Sequence, residues 1–289
     1  VLPPIVDGAT RLLGIAGDPV AQVRSPPLWS ALFRYNKINA ICVPFHVRPA
    51  DFSPFADGLR AAENVLGLLV TIPHKLAAAG YATALTSRAR KVGTANLLRP
   101  LPDGGWEGEM LDGLGFVLAL RAEGQRIEGR RAIVVGAGGV GSAIAFALAE
   151  AGAASVAIAD IDAGRAAALS RRLVDLAGLT SFVSPAQAEG FDLIVNASPM
   201  GMRADDPLPL DLGGLTAEAI VGDVVISGAL TPVLRAARAR GCHVQEGSAM
   251  TDHQVTAMAG FLGLETGDWS PEAIRAAMRP ASVDPEARV

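Results

Sequence analysis

The chain has 289 residues, half of them hydrophobic, enough for one large or two modest cores. Its 25 basic residues stand against 29 acidic ones, a net charge of −4 without a long run of either sign. That balance gives no support to nucleic-acid or anionic-membrane binding. Cys42 and Cys242 lie far apart, and His46, His74, His243 and His253 form no paired-ligand pattern. Reduced, buried thiols and no metal are therefore expected. The first residues lack a basic stretch followed by an apolar one, so the expectation is a soluble cytoplasmic protein.

In chain order, apolar runs at 12–16, 41–47 and 67–72 read as strands, and 27–35, 51–62 and 76–84 read as helices. Pro26 and Pro27 suit a helix start. Segments 95–99 and 106–109 flank Pro102-Asp103-Gly104-Gly105, a hairpin turn. A helix over 113–123 and a polar connector at 125–130 follow. The second half runs strand (132–135), glycine turn, helix (142–151), strand (155–159), helix (163–177), then strands at 192–196 and 220–225. A helix at 231–240, a strand at 243–245 and helices at 252–262 and 271–278 complete the reading, with residues 279–289 as a mobile tail. Such alternation predicts an α/β chain whose second half is a mostly parallel sheet covered on both faces.

The glycine turn carries the strongest signal. Gly136-Ala137-Gly138-Gly139-Val140-Gly141 sits between a strand and a helix of small residues. In the spacing Gly136-x-Gly138-x-x-Gly141 the first glycine makes the turn, the second lets a pyrophosphate approach, and the third lets the helix pack on the strand. The helix start presents free N–H groups to the phosphates. Asp160 ends the next strand, where an acid reads the ribose hydroxyls. Residues 132–149 are also uncharged and 18 long, the lower limit for a membrane span. Four clustered glycines argue against a continuous span, and the membrane reading is rejected.

Two further segments carry chemistry. In Val70-Thr71-Ile72-Pro73-His74-Lys75 a lysine opens a helix, where the dipole disfavours a cation. It is either solvated or has a task. In Gly108-Glu109-Met110-Leu111-Asp112-Gly113-Leu114-Gly115-Phe116 an aspartate precedes a helix, and such residues ordinarily cap it. His74 reads as a helix-start residue without a catalytic part, and Trp29, Trp106 and Trp269 as packing residues.

Taken together the chain resembles the shikimate dehydrogenase family over nearly its whole length. Six stretches match in order: Gly17-Asp18-Pro19-Val20 through Ser25-Pro26, the VTIPHK run, Gly93-Thr94-Ala95-Asn96, the GEMLDGLGF run, GAGGVGSA, and Asn196-Ala197-Ser198-Pro199-Met200-Gly201-Met202. Gly222-Asp223-Val224-Val225 and Met250 through Gln254 also fit.

The resemblance implies a substrate domain (1–112, completed by helices in 249–289) and a Rossmann-type NAD(P)-binding domain (113–248). It implies reversible, dinucleotide-dependent oxidation of a ring hydroxyl on shikimate or quinate. Lys75 and Asp112 match the family's catalytic pair. Thr71, Asn96 and Gln254 would contact substrate hydroxyls, and Ser25 the carboxylate. Gly136, Gly138, Gly139, Val140, Gly141, Asp160, Asn196, Met202 and Gly247 would line the cofactor, with Met202 near the nicotinamide.

Hydride loss from a carbinol carbon leaves an alkoxide-like charge to be met. A lysine in water holds its proton at neutral pH, and a carboxylate beside it reinforces that form. Lys75 is therefore expected to donate in carbonyl reduction and the pair to share the proton in oxidation. Partners are a small hydroxy acid or its keto form, on a monomer or homodimer.

The pocket departs from the family pattern. Val23-Arg24-Ser25-Pro26 stands where Ser-x-Ser-Pro is usual, Gln22 where His is usual, Met110-Leu111 where Asn-Thr is usual, and Ile226 where Tyr is common. Two lost hydrogen bonds to a charged group, at about 1.5–3 kcal/mol each, would cost on the order of 10²–10⁴. A related, less polar acid is thus the expected substrate, with weak but genuine shikimate or quinate activity as the alternative. Asp160-Ile161-Asp162 replaces the Asn-Arg-Thr of NADP-using members, so NAD is expected over NADP, with Arg165 a partial offset. The rival readings are a dinucleotide-binding regulatory homologue without turnover, and a folate or amino-acid dehydrogenase of similar architecture.

Overall fold

The computed structural model describes residues 6–177, 180–184, 186–203, 205–227 and 229–279; the tail at 280–289 lies outside them. The first elements are β1 (Arg11–Gly17), α1 (Ser25–Tyr35), β2 (Ala40–His46), α2 (Phe52–Arg60), β3 (Val65–Val70), α3 (Lys75–Tyr81), β4 (Ala84–Leu85), α4 (Ser87–Val92), β5 (Leu97–Pro100) and β6 (Trp106–Glu109). Then come α5 (Asp112–Ala122), β7 (Arg131–Val135), α6 (Gly139–Glu150), β8 (Ser155–Ala159), α7 (Ala163–Ala177), β9 (Thr180–Phe182) and β10 (Leu193–Asn196). The last are β11 (Ile220–Asp223), α8 (Pro232–Arg238), β12 (His243–Gln245), α9 (Gly247–Phe261) and α10 (Pro271–Ala277).

Two compact units result. One takes the chain up to Leu85 with Asn96–Gly108 and the part from Thr256 on; the other takes Thr86–Ala95 and Glu109–Val255. The first unit holds a six-stranded sheet ordered β2-β1-β3-β5-β6-β4. Strands β1, β2 and β3 are parallel, and β5 returns antiparallel to β3. Every residue of β3 is buried. Backbone approach is close there: a Cβ on Gly67 would lie 2.5 Å from Leu262 Cδ2 and 2.7 Å from the Leu98 carbonyl oxygen. Trp29 and Trp106 are fully enclosed, and Trp269 packs on Trp29 at 5.7 Å between ring centres, so all three tryptophans serve packing.

The second unit's sheet is ordered β12-β11-β10-β7-β8-β9, with every pair parallel. Side chains alternate between its faces. Ile133, Val135, Ile194 and Val221 pack with Leu234 and Ala237 of α8. On the opposite face Phe116 of α5 lies over Gly222, where a Cβ would meet its ring at 2.6 Å. Both faces are therefore covered, as a parallel sheet requires.

Several expected boundaries move. The strand expected at 67–72 ends at Val70, because Thr71 and Ile72 turn into the loop before Pro73. The helix expected over 76–84 stops at Tyr81, since Ala84–Leu85 pairs with β6. Helix α4 and strand β9 were not expected. The first is six residues long, capped by Thr86 accepting from the Ala89 N–H and ended by Gly93 at φ +76°. Helix α6 begins earlier than expected because Gly139 and Gly141, read as turn, adopt helical geometry, and α9 also begins earlier, at Gly247 instead of residue 252. Among the described residues no helix is long and apolar enough to cross a membrane. Cys42 and Cys242 are free and buried, and burial pushes both thiols up, away from thiolate.

Candidate active site

In the second unit, the expected cofactor residues gather at the carboxyl ends of the parallel strands. Strand β7 lies between β8 and β10, so the chain departs to opposite sides of it. That switch point opens a crevice where ligands of such sheets bind. The three glycines differ in what demands them. Gly136 has φ +105°, and its Cβ would come within 2.8–2.9 Å of the Ala197 and Ser198 backbone. A Cβ on Gly141 would lie 1.8 Å from the Gly136 carbonyl oxygen. Gly138 has an ordinary φ of −74°, and a Cβ there would meet no atom of the protein within 4 Å. Neither backbone nor packing requires glycine at 138; the free space over it is where a pyrophosphate fits.

Gly138 is also the N-cap of α6, and no side chain caps the helix. The N–H groups of Gly139, Val140 and Gly141 head this helix, which favours an anion. The residues thus fit the phosphates of a dinucleotide. Asp160 closes the turn from the side: its carboxylate accepts from the Ala137 N–H at 2.6 Å and from the Asp162 N–H at 2.8 Å.

Asn196 ends β10 fully buried, with its amide engaged inside the protein. It accepts from the Ser198 N–H and hydroxyl (3.1 and 2.6 Å) and donates to the Met200 carbonyl and to Asp223 (2.9 and 3.0 Å). Met202 is exposed on the loop that follows. Gly247 packs on the segment after β11, where a Cβ would meet the Val224 carbonyl at 2.5 Å.

Asp112 is buried and is the first residue of α5, not its cap; the N-cap is Leu111, with no side-chain cap bond. The two glycines after it explain its setting. A Cβ on Gly113 would lie 2.1 Å from the Ala143 carbonyl of α6, and one on Gly115 2.4 Å from the Met250 carbonyl and 2.9 Å from Gln254 Cβ of α9. The first turn of α5 is pressed between two helices, and Gln254 shares its neighbourhood.

In the first unit, Thr71, Asn96 and the start of the loop leading to Ser25 meet at the carboxyl ends of β1 and β3, and Lys75 opens the helix that follows β3. The Thr71 N–H donates to Ala16, the Asp18 N–H to Ile72, and the Val70 N–H to Asn96, at 2.8–3.0 Å. Asn96 is buried, while Thr71, Ser25 and Lys75 are half-buried. His74, just before Lys75, is buried; its Nε2 lies 2.7 Å from the Val47 carbonyl, and its ring stacks on Phe52 at 5.0 Å.

Sequence reasoning assigned no role to Asp223 and Thr231. Asp223 is buried, accepting from the Thr231 hydroxyl at 2.6 Å and from the Val225 N–H and Asn196 amide at 3.0 Å. Burial pushes its carboxyl up, and these three donors, Thr231 foremost, pull it back. The available signal was an acid ending an apolar strand; the Thr231-Pro232 pair reads instead as a helix cap.

A phosphate-ready glycine turn at the switch point of a parallel sheet is the construction of a dinucleotide-dependent oxidoreductase. Comparison with known proteins narrows the class. Residues 15–98 match the model of the shikimate dehydrogenase substrate binding domain. A curated relative from Rubrobacter xylanophilus, shikimate dehydrogenase (NADP(+)), is 38% identical over 91% of this chain and 94% of its own. A shikimate dehydrogenase solved with NADP+ superposes with a TM-score of 0.85, 26% identical over 96% of this chain and 97% of that one. Shikimate 5-dehydrogenase from Thermus thermophilus, solved with NADP(H) and shikimate, gives 0.81 at 28% identity, covering 93% and 100%. The chain belongs to the shikimate dehydrogenase family and is an oxidoreductase acting on a CH–OH group.

One expectation is corrected. NAD over NADP does not stand, because four curated relatives at 35–38% identity are all named shikimate dehydrogenase (NADP(+)). The structure supplies a physical reason. The Asp160 carboxylate is turned onto backbone N–H groups and is 8% exposed, while the Arg165 guanidinium, 3.8 Å away, is 58% exposed. The exposed charges at this strand end are that cation and the Asp162 carboxylate paired with it at 3.1 Å and 48% exposed, while the side chain of Asp160, the acid expected to repel a 2′-phosphate, is largely enclosed and occupied.

Proposed function

We propose that the chain catalyses reversible, NADP-linked oxidation of a ring hydroxyl on shikimate, quinate or a related, less polar hydroxy acid. The observation that carries the reading is the open space over Gly138 at the head of an uncapped helix. The dinucleotide supplies the hydride carrier; everything else falls to this chain's side chains. Lys75 holds a proton for the carbinol oxygen and stabilises its developing charge, and Asp112 shares that proton. Thr71, Asn96 and Gln254 bind substrate hydroxyls, and Ser25 the carboxylate. Val23 is half-buried and apolar, Gln22 donates to the Pro19 carbonyl, and Leu111 is buried, which supports weaker recognition of a polyhydroxylated acid. The reading places the enzyme in the cytoplasm as a monomer or homodimer.

The test is reduced-nicotinamide absorbance with NADP and a panel of shikimate, quinate and less hydroxylated ring acids. Turnover on at least one acid is expected. Lys75→Ala and Asp112→Asn should lower kcat by about 10²–10⁴ while the NADP Kd stays within a few-fold. NADP binding with no turnover anywhere on the panel would overturn the enzymatic reading in favour of a regulatory homologue.

A further inference from the structure

The switch-point crevice has one wall that is hydrogen-bonded to buried polar groups behind it. The segment 197–202 leaves β10 and backs onto the glycine turn: a Cβ on Gly136 would touch its first two residues at 2.8–2.9 Å. This segment hangs on Asn196. An asparagine side chain offers two donors and one oxygen with two lone pairs, and all four are taken. Two go to Ser198, one to the Met200 carbonyl and one to Asp223.

Asn196 therefore acts by shaping the loop. Its amide could face either way by size alone, but an ionised carboxylate only accepts. The Asp223 carboxylate thus selects the orientation in which Nδ2 points at it and at the Met200 carbonyl, leaving Oδ1 for Ser198. The reverse orientation would set oxygen against oxygen twice. Asp223 is in turn fixed by the Thr231 hydroxyl and the Val225 N–H.

We infer that Asp223, held by Thr231, is a positioning residue for dinucleotide binding, acting through Asn196 on the 197–202 wall of the crevice. This rests on the reading of the crevice as the NADP site. Asp223 touches no ligand in this scheme; it sets the geometry of what does.

The experiment measures NADPH affinity by fluorescence titration, kinetics with the best acid of the panel, and amide hydrogen exchange across 197–202 in the free protein. Thr231→Val removes one donor to Asp223 at nearly constant volume. It should raise the NADPH Kd and the KM for NADP about three- to tenfold, the part of that bond's worth that orders the 197–202 wall. Exchange at residues 198 and 200 should quicken, with kcat changed less than about twofold. Thr231→Ser keeps the hydroxyl and should restore Kd and exchange rates. Asp223→Asn, which places a donor against one of three donors, should exceed the Thr231→Val effect if it folds; if it does not fold, the Thr231 pair decides.

A Thr231→Val protein that melts earlier yet keeps wild-type NADPH affinity and exchange would overturn the inference and leave the cluster purely structural. Gly138→Ala serves as the separate check. If it leaves NADPH binding untouched, the crevice is not the NADP site and the inference falls with that reading. If it abolishes binding while Thr231→Val changes nothing, only the positioning role is lost.

Discussion

Substituting alanine at Gly138 and at Gly141 separates binding from folding with the same one-carbon change. At Gly138 the backbone is extended (φ −74°, ψ −170°), a conformation open to any residue, and the added methyl meets nothing in the protein. A glycine-to-alanine change under those conditions stabilises by about 0.4–1 kcal/mol, chiefly by restricting the unfolded chain. Yet the methyl enters the volume where phosphate oxygens must approach backbone N–H groups. Losing one charge-assisted hydrogen bond there costs about 1.5–3 kcal/mol, roughly 10–150-fold in Kd. At Gly141 the methyl would sit 1.8 Å from the Gly136 carbonyl oxygen, a backbone atom with no room to yield. Overpacking of that kind costs about 1–3 kcal/mol or more. Urea denaturation and NADPH titration on both variants read the two quantities independently. Gly138→Ala should be at least as stable as wild type and bind poorly; Gly141→Ala should be plainly destabilised. Wild-type NADPH affinity in a stable Gly138→Ala protein would refute the assignment of the space to phosphate.

Gly67→Ala should destabilise by about 1–3 kcal/mol in urea melts, because its methyl meets both Leu262 and the Leu98 carbonyl; an unchanged midpoint would mean the sheet relaxes freely. Arg165→Ala should weaken NADP about tenfold more than NAD in paired titrations, and equal losses would place the 2′-phosphate elsewhere. Asp192 accepts from the Arg131 backbone and guanidinium, and that side-chain bond holds its carboxyl below the ordinary value of 3.8. A depressed carboxylate stabilises the fold above the unfolded-state value and ceases to as pH falls through the folded one. Asp192→Asn should therefore cost under about 1 kcal/mol at pH 7, solvent screening keeping it small. The gap to wild type should close in acid; a pH-independent gap would refute the assignment.

The sequence was most legible where one kind of signal sufficed. Strand β8 and helix α7 fall at their expected bounds: β8 is an apolar run buried continuously from Val156 to Ala159, and α7 turns Ala166, Leu169 and Leu173 inward. The glycine turn was legible because its chemistry is local to six residues. Helix α4 was not: it has six residues, and only Ala89 and Val92 are buried, too few to show a period. Thr231 illustrates a different loss. A Thr-Pro pair at a helix start signals a cap, yet its hydroxyl bonds Asp223 eight residues back, a partner set by tertiary placement. At Asp160 the acid was readable but its neighbours were not: backbone N–H groups occupy its carboxylate, and Arg165 stands 3.8 Å from it while also pairing with Asp162.

The glycine pair that seats Asp112 has a consequence for how such an enzyme changes over time. Gly113 and Gly115 leave main chain against main chain on both flanks of that turn, so the backbone that carries the acid has little room to shift. Val23 is half-buried and Ile226 exposed, so exchanging either carries little structural penalty. On the proposed reading of the site, diversification should accordingly run through what the pocket accepts, while the address of the carboxylate stays inherited.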